Sequence, residues 1–155
     1  MPIRLNTMVR YAVRIMLSLA ARWQGDYISA NVIAKEQEIS VDYAEQILRR
    51  LRMGKLVESN RGPEGGFRLA KPPSEVSLMD IVMAMQGKVH LVRCLEPDGE
   101  KHCHRAPYCA ARIMWQRLGQ GVADFLAKYT LEDVLKEARA LLPKDTPPHS
   151  YPYVI

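Results

Sequence analysis

The chain has 155 residues, 48% of them hydrophobic, and 22 Lys and Arg against 17 Asp and Glu give a formal net charge of +5. That length and apolar fraction exclude a chain disordered throughout, and suit one domain or a small domain with an added dimerisation element. No apolar run approaches the roughly 18 residues of a membrane span, and Arg10 and Arg14 break the first apolar stretch, unlike a secretory signal; a cytoplasmic protein is expected.

In chain order, Met8, Ala12, Ile15, Met16, Leu19, Ala20 and Trp23 recur at helical spacing and predict a helix over 7–23, stopped at Gly25. Ser29 is a candidate N-cap for a short helix, Ala30–Gln37. Ser40 is the candidate cap of a longer one, Val41–Met53, with Asp42 in its first turn, where a carboxylate complements the helix dipole, and Gly54 at its end. Residues 55–59, 60–66 and 67–70 then read as strand, glycine-rich turn and strand. Ser77 and Asp80 resemble a capping box for a helix through about Gln86. After a polar loop over 88–109, helical spacing resumes over 110–128 and again from Thr130 to about Leu142. The tail over 143–155, with four prolines and no helical period, is expected to be extended.

Two short helices joined by a tight turn, followed by a hairpin, form a winged helix-turn-helix pattern. The fold class expected is therefore mainly α, with a two-stranded β-wing and a long C-terminal dimerisation helix. Charge agrees: residues 1–25 hold Arg4, Arg10, Arg14 and Arg22 and no acid, and residues 41–71 hold seven basic against four acidic residues. The start of the second helix enters the major groove in this arrangement. That puts Asp42, Tyr43, Glu45 and Gln46 in reach of base edges, where a carboxylate accepts from cytosine and Gln pairs with adenine. Arg49, Arg50 and Arg52 lie further along and suit phosphates, while Arg61 at the wing tip suits a narrow minor groove. The glycines at 62–66 lack the Lys-Ser/Thr of a phosphate loop, and no nucleotide fingerprint, nucleophile elbow or HExxH pair occurs, so no enzyme is expected.

All three cysteines, Cys94, Cys103 and Cys109, fall in the polar loop, with His102 and His104 flanking the middle one. Three soft ligands in polar sequence point to metal or redox chemistry, since a structural cysteine favours apolar surroundings. A tetrahedral zinc on three cysteines and a histidine is one outcome, and a thiol/disulfide switch is another.

Taken together, these segments resemble the Rrf-type family of winged-helix regulators, with IscR-, NsrR- and RirA-like members. The matching pieces are the runs at 4–7 and 10–12, Tyr43-Ala-Glu-Gln46, Leu51-Arg52, the wing Arg61-Gly-Pro-Glu-Gly-Gly-Phe-Arg-Leu69, the run at 78–82, and the cysteine loop before a long helix. The resemblance implies a homodimer on a double-stranded DNA operator, with the helix near 112–128 crossing its partner. It implies an iron–sulfur cluster on Cys94, Cys103 and Cys109, 2Fe–2S favoured over 4Fe–4S, whose state tunes DNA affinity. Glu45 matches a base-reading glutamate, Arg61 matches the minor-groove arginine, and Asp42 stands where IscR-like members carry serine. The fourth ligand departs from the family: Arg112 stands where IscR-like members have a histidine and Arg10 where NsrR-like members have an aspartate, and a guanidinium cannot ligate. His104 and His102 are the nearest neutral substitutes, with His90, Glu96, Asp98 and Glu100 behind them, and an exogenous ligand or water is an equal alternative. The chain divides accordingly into a DNA-binding domain (1–87), a cluster loop (88–109), dimerisation helices (110–142) and a Pro-rich tail (143–155).

Overall fold

The computed structural model describes residues 5–141, and the expectations for Arg4 and for the tail over 143–155 lie outside them. Helix α1 (Thr7–Ala21) starts at Asn6, whose Oδ1 accepts from the Val9 N–H at 2.8 Å. It buries Val9, Ala12, Ile15, Met16, Leu19 and Ala20. It ends before Trp23, short of the predicted boundary, because the Trp23 N–H turns back to the Ala20 carbonyl (3.1 Å) and Gln24 takes a left-handed φ of 67°. Trp23 consequently points outward.

Helices α2 (Ala30–Gln37) and α3 (Val41–Met53) begin at Ser29 and Ser40, whose hydroxyls accept from Val32 N and Tyr43 N. Ala44, Ile47, Leu48 and Leu51 of α3 are fully buried. Each large aliphatic side chain so placed contributes about 1.5–3 kcal/mol, which fixes the rotation of α3 and leaves its polar face outward. Strand β1 (Val57–Asn60) pairs antiparallel with β2 (Gly66–Leu69) in the register Val57 to Leu69, Glu58 to Arg68, Ser59 to Phe67 and Asn60 to Gly66. The first strand starts later than predicted: Lys55 has φ 57°, and the Leu56 N–H still closes α3 on the Leu51 carbonyl at 3.0 Å.

A short 3-10 turn (Pro73–Glu75) leads to α4 (Leu78–Gln86), which opens on a full capping box between Ser77 and Asp80. The cysteine segment carries a 3-10 turn (Arg93–Leu95), the one-turn α5 (Gly99–His102) and another 3-10 turn (Ala106–Tyr108). Helix α6 (Ala110–Lys128) and helix α7 (Leu131–Leu141) follow. Helix α7 folds back on α1 and places Leu131 and Leu135 in the shared core. Its entry is stitched by the bonds Leu78 N–H to Tyr129 O and Leu131 N–H to Val76 O, each 2.9 Å.

The molecule is thus mainly helical with one two-stranded antiparallel sheet, as the sequence pattern predicts. Helix α6 differs from the others: it lies along α4, yet none of its 19 residues is buried. Among the described residues, no helix is long and apolar enough to cross a membrane.

Candidate DNA interface and cysteine segment

Capping by Ser40 and burial of the apolar side of α3 leave Asp42, Glu45, Gln46 and Arg49 exposed on one face. These residues stand together where the sequence puts the base- and phosphate-reaching groups. Tyr43 is different. It is half-buried, and its ring meets Tyr11 of α1 edge-on at 5.8 Å, with the Arg14 guanidinium 5.4 Å from the Tyr11 centroid. Tyr43 therefore helps dock α3 on α1, as such edge-to-face pairs do.

The basic residues of α3 also divide. Arg49 makes no ion pair among the described residues. Arg50 donates from Nη1 to the Met85 carbonyl at 2.7 Å, tying the end of α3 to the last turn of α4. Arg52 donates to the Ser59 hydroxyl at 3.1 Å, tying α3 to β1. Only the sequence separation of 35 residues hid the Arg50 contact; a basic side chain beside a helix C-terminus is otherwise a common carbonyl partner. Arg61 stands exposed at the wing tip, where the Gly65 N–H bonds the Gly62 carbonyl at 3.0 Å.

The sequence reasoning did not single out the wing's own polar network. Tyr27 Oη donates to Glu58 Oε1 at 3.0 Å, and Arg68 Nε donates to the same oxygen at 2.6 Å. These bonds, Arg68 first and Tyr27 second, hold the Glu58 carboxyl below the usual carboxylate range. Desolvation and then the bond to Glu58 raise the Tyr27 phenol. The hairpin register places Glu58 opposite Arg68, a pairing readable in the sequence; the contribution of Tyr27, 31 residues away, has no local signal.

In the cysteine segment all three thiols are free and half-buried. Gly99 packs on the 93–95 turn so closely that a Cβ there would stand 2.4 Å from the Cys94 carbonyl, so this contact admits only glycine. The Cys103 carbonyl accepts from Ala106 N at 3.0 Å, and that of Cys109 accepts from Arg112 N at 3.1 Å, which seats Cys109 at the start of α6. Beside Cys109 the surface opens into a hollow of about 380 Å³ lined by Tyr108, Cys109, Arg112 and Ile113. Arg112 crosses the segment from α6, donating to Glu100 Oε1 at 3.0 Å and to the Ala106 carbonyl at 3.3 Å. It thus straps the segment to α6.

Among the described residues, no three His, Cys, Asp or Glu side chains are gathered closely enough to hold a metal ion. The donor chemistry nonetheless fits an iron–sulfur cluster: three thiols outside any disulfide, on one segment. Of the candidate fourth ligands, Glu100 is paired with Arg112 and Asp98 with Lys101, while His104 is exposed beside Cys103. The side chain of His102 lies outside the described parts.

Comparison with known proteins agrees with this geometry. Residues 5–137 match the model of the Rrf2 family, described as "Iron-dependent Transcriptional regulator". The chain is 33% identical to the HTH-type transcriptional regulator IscR of Photorhabdus laumondii over 138 residues, 89% of this chain and 82% of that protein. Among solved structures, T. potens IscR superposes with a TM-score of 0.73 at 26% identity, covering 92% of this chain and 93% of that one. CymR, the global cysteine regulator of B. subtilis, gives a TM-score of 0.71 at 30% identity, covering 86% and 97%. With its wing, its helix-turn-helix and most of its length matched, the chain belongs to the Rrf2 family of HTH-type transcriptional regulators, which are not enzymes.

Proposed function

We propose that the chain is a dimeric regulator whose affinity for double-stranded operator DNA is set by an iron–sulfur cluster on Cys94, Cys103 and Cys109. One observation carries the reading: three free thiols sit on the single segment joining the DNA-binding body to α6, in a family described as iron-dependent. The same description favours iron over zinc, which none of the relatives above is named for. His104 is the proposed fourth donor. Three thiolates with one other ligand suit either 2Fe–2S or 4Fe–4S, and the ratio of iron to sulfide distinguishes neither from the other until it is counted per chain.

When bound, the cluster supplies a cross-link among thiolates that responds to iron supply, oxygen, nitric oxide or redox potential. The chain's own residues carry the consequence. Gly99 on Cys94 and Arg112 on Glu100 and Ala106 hold the segment as a unit against α6. Arg50 holds the other end, where α4 delivers the chain to this segment, against the recognition helix. Asp42, Glu45 and Gln46 are then the proposed base readers, Arg49 a phosphate contact, and Arg61 the minor-groove residue. The bond of Arg50 to Met85 supports a bridging role for it over a phosphate contact. The second copy is proposed to cover α6, whose Ile113, Met114, Leu118 and Phe125 are exposed.

Anaerobic purification followed by an absorption spectrum with iron, sulfide and zinc analysis tests this. The expected result is visible charge-transfer bands with iron and sulfide in the natural chain. Cys103→Ala should lose the bands, remain a folded dimer and bind operator with altered affinity. A colourless protein holding one zinc per chain overturns the cluster, and unchanged operator affinity in Cys103→Ala overturns the coupling.

A further inference from the structure

The wing is a ribbon of four residue pairs, and a lone two-stranded ribbon is at best marginally stable in water. One of its faces is anchored through Val57 and Leu69, which are buried in the core. Successive side chains alternate faces, so the next pair, Glu58 and Arg68, stands on the other side. There the linker between α1 and α2 meets it. Ile28 and Phe67 exchange both backbone bonds, at 2.9 and 2.8 Å, so the linker acts for one residue as a third strand. A Cβ on Gly66 would lie 2.4 Å from the Ile28 carbonyl, which shows how tightly the two segments meet.

Tyr27 closes this arrangement. Its hydroxyl and the Arg68 Nε both donate to Glu58 Oε1, at 3.0 and 2.6 Å, and the Arg68 guanidinium lies over the Tyr27 ring at 4.4 Å. Each of the three side chains thus touches the other two, and each comes from a different segment. We propose that Tyr27, Glu58 and Arg68 form a clamp that fixes the angle of the wing to the helix pair, making Glu58 and Arg68 positioning residues for Arg61 at the tip.

Three considerations support the clamp. Arg68 Nε is committed to Glu58 and its guanidinium lies on the Tyr27 ring, which favours a positioning role over a phosphate contact. The lowered Glu58 carboxyl and the raised Tyr27 phenol both follow from the shared bonds. Leverage is favourable too: at about 3.3 Å per residue, Arg61 lies about 10 Å beyond Glu58, so a tilt of about 10° moves the tip by about 2 Å. Both charged side chains are 44% exposed, and an exposed pair contributes little to folding. The clamp therefore acts on where the tip points more than on stability.

The clamp rests on the reading of Arg61 as the minor-groove residue, and the test separates the two. The natural chain, Glu58→Ala, Arg61→Ala and the double variant, each as purified anaerobically, are titrated by fluorescence anisotropy. The probes are duplexes from the DNA upstream of the protein's own reading frame, with A·T or G·C pairs beneath the wing. Removing an acid from a DNA-binding face should, by charge alone, tighten binding. The clamp requires the opposite: Glu58→Ala, which removes the shared acceptor, should weaken the A·T duplex by about 3- to 10-fold and shrink the A·T preference, with an unchanged melting temperature. In the Arg61→Ala background the same change should cost nothing further, the signature of coupled residues. Arg68→Lys, which keeps the charge and removes the Nε bond, should repeat the loss of preference. Tighter binding by Glu58→Ala, a loss additive with Arg61→Ala, or an unaltered Arg68→Lys overturns the clamp. If Arg61→Ala alone leaves affinity and preference intact, the reading of Arg61 falls, and the clamp falls with it through a separate arm.

Discussion

Glu45 and Arg49 stand one helical turn apart on the exposed face of α3, with no ion pair between them among the described residues. Their substitution should separate specificity from affinity. On the proposed reading, Glu45→Ala removes an acceptor for a cytosine amino group, so discrimination at one base pair should fall by about 1–3 kcal/mol. Because a negative charge also leaves the interface, binding to unrelated DNA should strengthen slightly. Arg49→Ala should weaken every sequence alike and lower the salt slope of log K by about one. Titrations of operator variants at several salt concentrations check both. A uniform loss from Glu45→Ala would make it a positioning group like Tyr43.

At the scale of elements, α3 and α4 are joined by one charged contact. Arg50 Nη1 meets the Met85 carbonyl at 2.7 Å, one of the last carbonyls of α4 left without an intrahelical donor. Arg50→Gln should cost about 1–3 kcal/mol of folding stability, read by urea denaturation, with little change in salt slope. A salt slope lower by about one with unchanged stability would return Arg50 to the phosphate contacts. This contact marks the limit of what the sequence carries. Ser29, Ser40 and Ser77 each cap a helix where local pattern puts the cap, and Gly54 ends α3, because capping is decided within a few residues. The boundaries that moved, at Trp23 and Lys55, are places where the left-handed residue is not the glycine the sequence offers but its neighbour, Gln24 beside Gly25 and Lys55 beside Gly54. The exposed face of α3 was equally legible from its period. Tyr27 on Glu58, Arg50 on Met85 and Arg112 on Glu100 were not, since each joins elements whose meeting depends on the whole packing.

At the scale of the whole molecule, the outer face of α6 has no account within one chain. Met114, Leu118, Val122 and Phe125 recur at the spacing of one helical stripe, and Phe125 is 62% exposed, stacked only on Tyr129 at 5.4 Å. A contiguous apolar stripe of this kind marks an interface. A two-fold pair of chains would also set two recognition helices about one turn of DNA apart, as a dimeric helix-turn-helix protein requires. Phe125→Glu puts a charge into that stripe while leaving the core of Leu131, Leu135 and α1 untouched, because α6 adds only Leu126 to the edge of that core and Phe125 is not part of it. Sedimentation velocity should therefore find a folded monomer. Operator affinity should drop on the order of 100-fold or more as the second half-site is lost, with the salt slope roughly halved because half of the phosphate contacts go with it. A Phe125→Glu protein that still sediments as a dimer and binds the full operator unchanged would place the partner on another surface. In that case the cysteine segment, which leads directly into α6, would need a different route to the recognition helices than the spacing of two chains.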